Sequence, residues 1–272
     1  MLAFPNCKIN LGLHICKKRT DGFHDLETVF YPVGLRDALE IIPSHNTTTD
    51  IEFSASGLVV DGNTTDNICV KAYQLIKKDM PDLPPIKMHL HKAIPMGAGL
   101  GGGSADGAFT LQLLNSKFNL NLSTSQLLNY ALQLGSDCPF FIINSPCFAT
   151  SRGEILEPVE LDLSSYQIVL INPGIHINTG WAFSQLTPAL PQQSVATIIA
   201  QPIDTWREAL QNDFEKPVFE KYPEIKNIKT ELYDKGALYA AMSGSGSTVY
   251  GIFEKNVEIP KFLNTNYFVS VC

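Results

Sequence analysis

The 272-residue chain predicts an α+β fold, on three observations. Strand-like segments gather near the amino end, helix-like segments gather in the middle, and strands return at the carboxyl end. Such blocks argue against a regular βαβ series. CKINLGLHIC, residues 7–16, alternates Ile9, Leu11, Leu13 and Ile15 with Lys8, Asn10, Gly12 and His14, the period of a half-buried strand.

ALEIIP (38–43) and IEFSA (51–55) read as further strands. In DNICVKAYQLIKK, Ile68, Ala72, Leu75 and Ile76 fall at helical spacing, with Asp66 as the expected cap. IKMHLHKAIP, residues 86–95, again alternates, setting Ile86, Met88 and Leu90 against Lys87, His89 and His91. A glycine-rich loop follows, then a helix with Ala108, Leu111, Leu113 and Leu114 on its apolar face and Ser104 as expected cap. Ser123 and Gln126 form a capping box for the next helix, which runs to Gly135. Beyond residue 150 the chain reads as a buried strand, YQIVLINP, and a loop, TPALPQQS. Two helical stretches follow (203–219 and 225–236), then strands at 247–255 and 267–272.

Five of the seven residues 97–103 are glycine, more than a turn requires. Without Cβ atoms, several N–H groups can converge on one point, and the following helix dipole adds positive potential there. Strand, glycine loop and helix in that order point to a bound phosphate. A Walker A loop is excluded, because Gly103 stands where its lysine belongs. Gly97, Gly99 and Gly102 satisfy the dinucleotide pattern, but residues 107–136 lack the acidic partner it needs. The protein-kinase elements Val-Ala-Ile-Lys, His-Arg-Asp and Asp-Phe-Gly are absent.

The remaining pattern, P-x-x-x-G-L-G-G-G-S, resembles the phosphate loop of the GHMP kinases. FPNCKINLGLHI (4–15) resembles that family's first motif, and AAMSGSGSTVYGIF (240–253) its third. RTDGFHDLETVF (19–30) and LGSDCPFF (134–141) sharpen the likeness toward the branch whose acceptor is a cytidyl diphosphate sugar alcohol. The resemblance implies two α+β domains, an ATP-binding one at 1–150 and a second at 151–272, with the active site in the cleft between them. It also implies ATP-dependent phosphorylation of the 2-hydroxyl of 4-diphosphocytidyl-2-C-methylerythritol, in non-mevalonate isoprenoid synthesis. Another small-molecule GHMP kinase and a non-catalytic nucleotide-binding regulator are the alternatives; a dinucleotide oxidoreductase is more distant.

Carried over by that resemblance, Asp137 is the base that deprotonates the acceptor, and Lys8 pairs with it and stabilises charge at the transferring phosphoryl. From the residues alone, Asp137 reads first as a turn or cap aspartate before Pro139, and Lys8 as a solvated lysine on the exposed face of a half-buried strand; only the family resemblance reverses this. Pro95, Met96, Gly97, Ala98, Gly99, Leu100, Gly101, Gly102, Gly103, Ser104 and Ala105 would cradle ATP, with Asn67 on the adenine side. Asn10, Phe23, His24, Thr179, Phe183 and Gly244 would face the acceptor, Phe23 by stacking and His24 by hydrogen bonding to the base. Gly244 and Gly246 would let a second loop approach the phosphate loop. Mg2+ would arrive with ATP, Ser104 being a candidate ligand. No histidine spacing suggests a resident metal site.

A net charge of −7 and pI near 5.3 argue against nucleic acid or anionic membrane as partners. Six cysteines without a C-x-x-C pair read as reduced thiols, and neither a signal peptide nor an eighteen-residue apolar window is visible. The expectation is a bacterial cytoplasmic enzyme, monomeric or weakly dimeric, acting on small molecules.

Overall fold

The structure is a computed structural model that describes residues 1–45, 48–60, 62–258 and 266–272. Its strands are β1 (Leu2–Ala3), β2 (Asn6–Lys18), β3 (His24–Arg36), β4 (Ala38–Pro43), β5 (Ile51–Gly57), β6 (Ile86–Lys92), β7 (Cys147–Ser151), β8 (Ile155–Pro158), β9 (Tyr166–Asn172), β10 (Tyr239–Met242), β11 (Val249–Glu254) and β12 (Phe268–Val271). The helices are α1 (Ile68–Asp79), α2 (Gly102–Lys117), α3 (Thr124–Leu134), α4 (Cys138–Ile143), α5 (Thr179–Ser184), α6 (Val195–Ile199), α7 (Trp206–Ala209), α8 (Glu215–Lys221) and α9 (Pro223–Asp234). The mixture is α+β.

Two compact units separate. One comprises Met1–Cys7, Gly34–Met96 and Gly101–Ser145, the other Lys8–Val33, Gly97–Leu100 and Pro146–Cys272. The units interleave along the chain, so a single cut at 150 does not divide them: residues 8–33 and 97–100 group with the carboxyl-terminal part.

In the first unit the sheet order is β1-β4-β6-β5, with β4 antiparallel and β5 parallel to β6. Ile86, Met88 and Leu90 of β6 are buried, and Lys92 falls in phase with them and is buried too. Helices α1 to α4 pack on one another. In α2 the buried positions run almost all round, from Ala105 and Asp106 to Leu113 and Leu114, as expected of a helix covered on several sides.

In the second unit β10-β11-β9-β12 form an antiparallel sheet. A further sheet orders β2-β3-β7-β8. Leu13, Ile15, Val169, Ile171, Phe214, Val218, Ile225 and Phe253 belong to one core cluster. Tyr250 of β11 is buried too, with its hydroxyl donating to the Asn10 carbonyl at 2.7 Å, so an aromatic anchor fixes the β2 backbone at a candidate site residue.

Several local expectations change. Helix α1 is capped by Asn67, whose side chain accepts from the Cys69 N–H at 2.9 Å, and not by Asp66. Helix α2 begins at Gly102 after a left-handed Gly101, which places Ser104 inside the first turn rather than at the cap. The Ser123 capping box and the Gly135 terminus of α3 are as expected. The stretch 203–219 breaks into short pieces, Leu210 being extended between α7 and α8. No helix among the described residues is long and apolar enough to cross a membrane.

Candidate active site

The glycine loop is shaped by its backbone. Gly97, Gly99 and Gly101 take φ of +62°, +78° and +69°, a left-handed region costly for other residues, while Ala98 and Leu100 between them are buried. A Cβ at Gly99 would lie 2.0 Å from the Ser243 carbonyl oxygen, so a side chain there is sterically excluded. The Ala105 N–H makes the first intrahelical bond of α2, to Gly101 at 2.9 Å, so the N–H groups of Gly102, Gly103 and Ser104 precede the helix ladder. A Cβ at Gly103 would meet nothing within 4 Å, and Met96 is half exposed at the head of the loop. These donors and this open space fit a phosphate chain.

Residues 97–100 are held within the second unit by residues of β2 and of the segment 240–253. The Lys8 N–H donates to Leu100 at 2.9 Å, and Lys8 Nζ donates to the Asn10 side chain at 2.6 Å and to the Gly99 carbonyl at 3.3 Å. The Ser243 hydroxyl donates to the same Gly99 carbonyl at 2.8 Å and accepts the Asn10 N–H at 3.2 Å. Asn10 completes its bonding by donating to Thr28 at 3.1 Å. Gly244, with φ of +58°, comes close enough that a Cβ would stand 3.2 Å from the Gly99 Cα. The approach of the third motif to the phosphate loop is therefore a structural fact.

Lys8 and Asn10 are 3% and 2% exposed, which removes the reading of Lys8 as a solvated surface lysine. The alternation in β2 separates two buried faces rather than an inner and an outer one. Ser243 joins this hydrogen-bonded group without having been foreseen; its only sequence signal is its place in Ser-Gly-Ser-Gly-Ser.

In the first unit a buried ionic cluster ties the strand before the loop to the helix after it. Lys92 Nζ, at the end of β6, donates to Asp37 at 2.5 Å and to Asp106 in α2 at 2.7 Å. The other Asp37 oxygen accepts the N–H groups of Ala93 and Ile94 at 2.6 and 2.9 Å. Asp106 Oδ1 is buried without a hydrogen-bond partner, and burial pushes the Asp106 carboxyl up to about 7 despite Lys92. None of the three was foreseen. Lys92 sharing the parity of Ile86, Met88 and Leu90 was the available signal.

The turn joining β2 to β3 carries the base-facing candidates. Arg19 donates to Asp21 at 3.0 Å, to Asp25 at 2.8 Å and to Ser151 at 3.0 Å, and Asp21 accepts the Phe23 N–H at 3.1 Å. These bonds hold Asp21 below the usual carboxylate range, the Arg19 guanidinium first. Phe23 is 52% exposed at the tip. The His24 ring stacks on Phe183 with centroids 4.8 Å apart and planes at 16°, and Phe183 meets Phe214 edge-on at 4.9 Å. Burial, then Lys18, lowers the His24 pKa, so its imidazole is neutral near pH 7 and can both donate and accept. The Thr179 hydroxyl lies 3.2 Å from that of Ser245. The structure thus brings His24 to Phe183, and Thr179 to the third motif.

Asp137 belongs to the first unit, as the residue before α4, and Pro139 in the first turn explains why that short helix starts there. Its side chain makes no cap bond, so the reading of Asp137 as a helix cap is not realised, while its reading as a turn residue is, since residues 136–137 form a turn before α4. Cys138 beside it is buried, and burial pushes its thiol up to about 12, which makes it an unreactive thiol at neutral pH. Asn67 spends its side-chain oxygen on the α1 cap.

The family described as GHMP kinases N terminal domain matches residues 67–145, and GHMP kinases C terminal matches residues 194–266. A Bacteroides fragilis protein named 4-diphosphocytidyl-2-C-methyl-D-erythritol kinase is 52% identical over 261 residues, covering 96% of this chain and 95% of that relative. A crystal structure titled 4-(cytidine 5'-diphospho)-2C-methyl-D-erythritol kinase aligns with a TM-score of 0.77 and 29% identity over 93% of this chain and 90% of the other. The Methanococcus jannaschii mevalonate kinase shares the fold, with a TM-score of 0.69 at 11% identity over 94% of this chain and 91% of that one. Two family matches spanning more than half the chain, together with a relative at 52% identity, lead to one conclusion: the chain belongs to the GHMP kinase family.

Proposed function

We infer that this chain transfers the γ-phosphoryl group of ATP to the 2-hydroxyl of 4-diphosphocytidyl-2-C-methyl-D-erythritol, releasing ADP, in isoprenoid precursor synthesis. Among the structural observations, the stack of His24 on Phe183 carries the reading furthest, because it joins the Asp-Gly-Phe-His turn to the Asn-Thr-Gly-Trp-Ala-Phe helix. A kinase with a small unmarked acceptor has no use for a stacked imidazole and phenyl pair beside a projecting Phe23 ring, groups that suit a flat base.

The reaction forms a bond between the acceptor oxygen and the γ-phosphorus and breaks the bond from that phosphorus to the β-bridging oxygen. Asp137 accepts the hydroxyl proton as the oxygen attacks. Lys8 places positive charge beside the transferring phosphoryl and the developing alkoxide, and Asn10 hydrogen-bonds the acceptor. Residues 95–105 hold the nucleotide phosphates through backbone N–H groups, with Asn67 toward the adenine. Ser104 would hold a Mg2+ ion arriving with the nucleotide, and that ion would supply positive charge against the phosphates. Phe23 and Phe183 enclose the base, His24 bonds its edge, and Thr179 and Gly244 line the rest of the acceptor site. The enzyme acts in the bacterial cytoplasm, as a monomer or weak homodimer.

The test is ADP release with Mg-ATP and four acceptors: the cytidyl diphosphate of methylerythritol, mevalonate, homoserine and galactose. Turnover confined to the first is expected. Turnover of another acceptor in its place would keep a kinase and sink the base recess, and inactivity toward all four would refute the reading.

A further inference from the structure

We infer that Arg152 is a positioning residue for recognition of the base, acting through Phe23; this rests on the cytidyl-acceptor reading above. Phe23 is an aromatic ring left half exposed at the tip of a turn. The Arg152 guanidinium carbon lies over that ring, 5.0 Å from its centroid. One face of Phe23 is thereby covered, which leaves the other as the platform for a flat base.

Arg152 is itself held in place from several directions. Its Nε donates to Glu154 Oε1 at 3.2 Å and its own N–H to Glu154 Oε2 at 2.7 Å. Ser151, which precedes it in a left-handed conformation, donates to the same Glu154 at 3.2 Å and pairs in register with Leu26 of β3. Arg19 then bonds Ser151 and Asp25 together, so the connection between β7 and β8 and the turn carrying Phe23 form one braced piece. A braced guanidinium on a half-exposed ring reduces the freedom that ring must lose when a base stacks on it.

Steady-state kinetics of wild type, Arg152→Ala, Arg152→Lys, Phe23→Ala and the Phe23→Ala/Arg152→Ala double variant test this with Mg-ATP and the cytidyl acceptor. Arg152→Ala is expected to raise the acceptor KM roughly three- to tenfold, leaving kcat and the ATP KM within about twofold. Arg152→Lys should recover part of that loss. In the Phe23→Ala background the second change should add nothing, since its route to the base is already gone. An unchanged acceptor KM in Arg152→Ala would overturn the inference. So would an effect of equal size with and without Phe23, which would mean that Arg152 touches the acceptor directly. Absence of turnover by the wild type is a different failure, that of the functional reading, and takes this inference with it.

Discussion

The glycine loop and the turn between β2 and β3 are built in opposite ways. Residues 97–103 work through backbone: left-handed glycines, a Gly99 carbonyl bonded by both Lys8 and Ser243, and side chains such as Ala98 and Leu100 turned into the protein. The turn works through side chains, with Phe23 projecting outward and the whole piece braced by exposed or half-buried charges at Arg19, Asp21 and Asp25. A site made of N–H groups can recognise only what every nucleotide shares, its phosphates. A site made of projecting rings can distinguish one acceptor from another. The two regions should therefore fail differently when altered.

The largest loss is expected where neither region can compensate. On the proposed mechanism Asp137→Asn should lower kcat by about 10³ while the ATP KM stays within a few-fold, because it removes the proposed proton acceptor without disturbing the phosphates. Rapid-quench measurement of a single turnover checks it. Gly99→Ala comes next: the Cβ would collide with the Ser243 carbonyl at 2.0 Å and sit at φ of +78°. About a 100-fold fall in kcat/KM is expected, equally for any acceptor, with thermal unfolding run alongside to confirm a folded variant.

A smaller effect belongs to the ionic cluster below the loop. Asp106 faces Lys92 and Asp37, with Cys69 of α1 also close enough to interact electrostatically. Its carboxyl is raised by burial from 3.8 to about 7, so between those values the folded state binds more protons than the unfolded one. Stability from this group is present below pH 4 and is lost as pH rises through 7. Measured by denaturant unfolding at pH 5 and pH 8, wild type should lose about 2 kcal/mol more than Asp106→Asn over that interval. Parallel profiles for the two proteins would show that Asp106 is ionised throughout.

What could be read from the sequence follows the same division. Glycine reports on backbone directly, so the sharp glycine loop, the Ser123 cap and the close approach of Gly244 were legible. Periodicity served where one face meets water, as in β6, and misled in β2, where Lys8 and Asn10 look like an outer face yet are buried. Strand β3 was invisible because its start, His24 to Thr28, is polar or charged except for Leu26 and lies within the turn motif. The Asp37, Lys92 and Asp106 cluster draws on residues 37, 92 and 106, and only long-range folding brings such partners together. For the same reason Ser151 and Arg152 gave no hint that they brace a turn over a hundred residues earlier.

The division of labour between loop and turn is tested most directly by Phe23→Ala, with the KM for ATP and the KM for the cytidyl acceptor measured on the same protein. Loss of a stacking platform worth about 1–3 kcal/mol predicts an acceptor KM raised about tenfold or more and an ATP KM unchanged within twofold. If both constants rise together, or neither moves, the turn does not select the acceptor and the account is wrong.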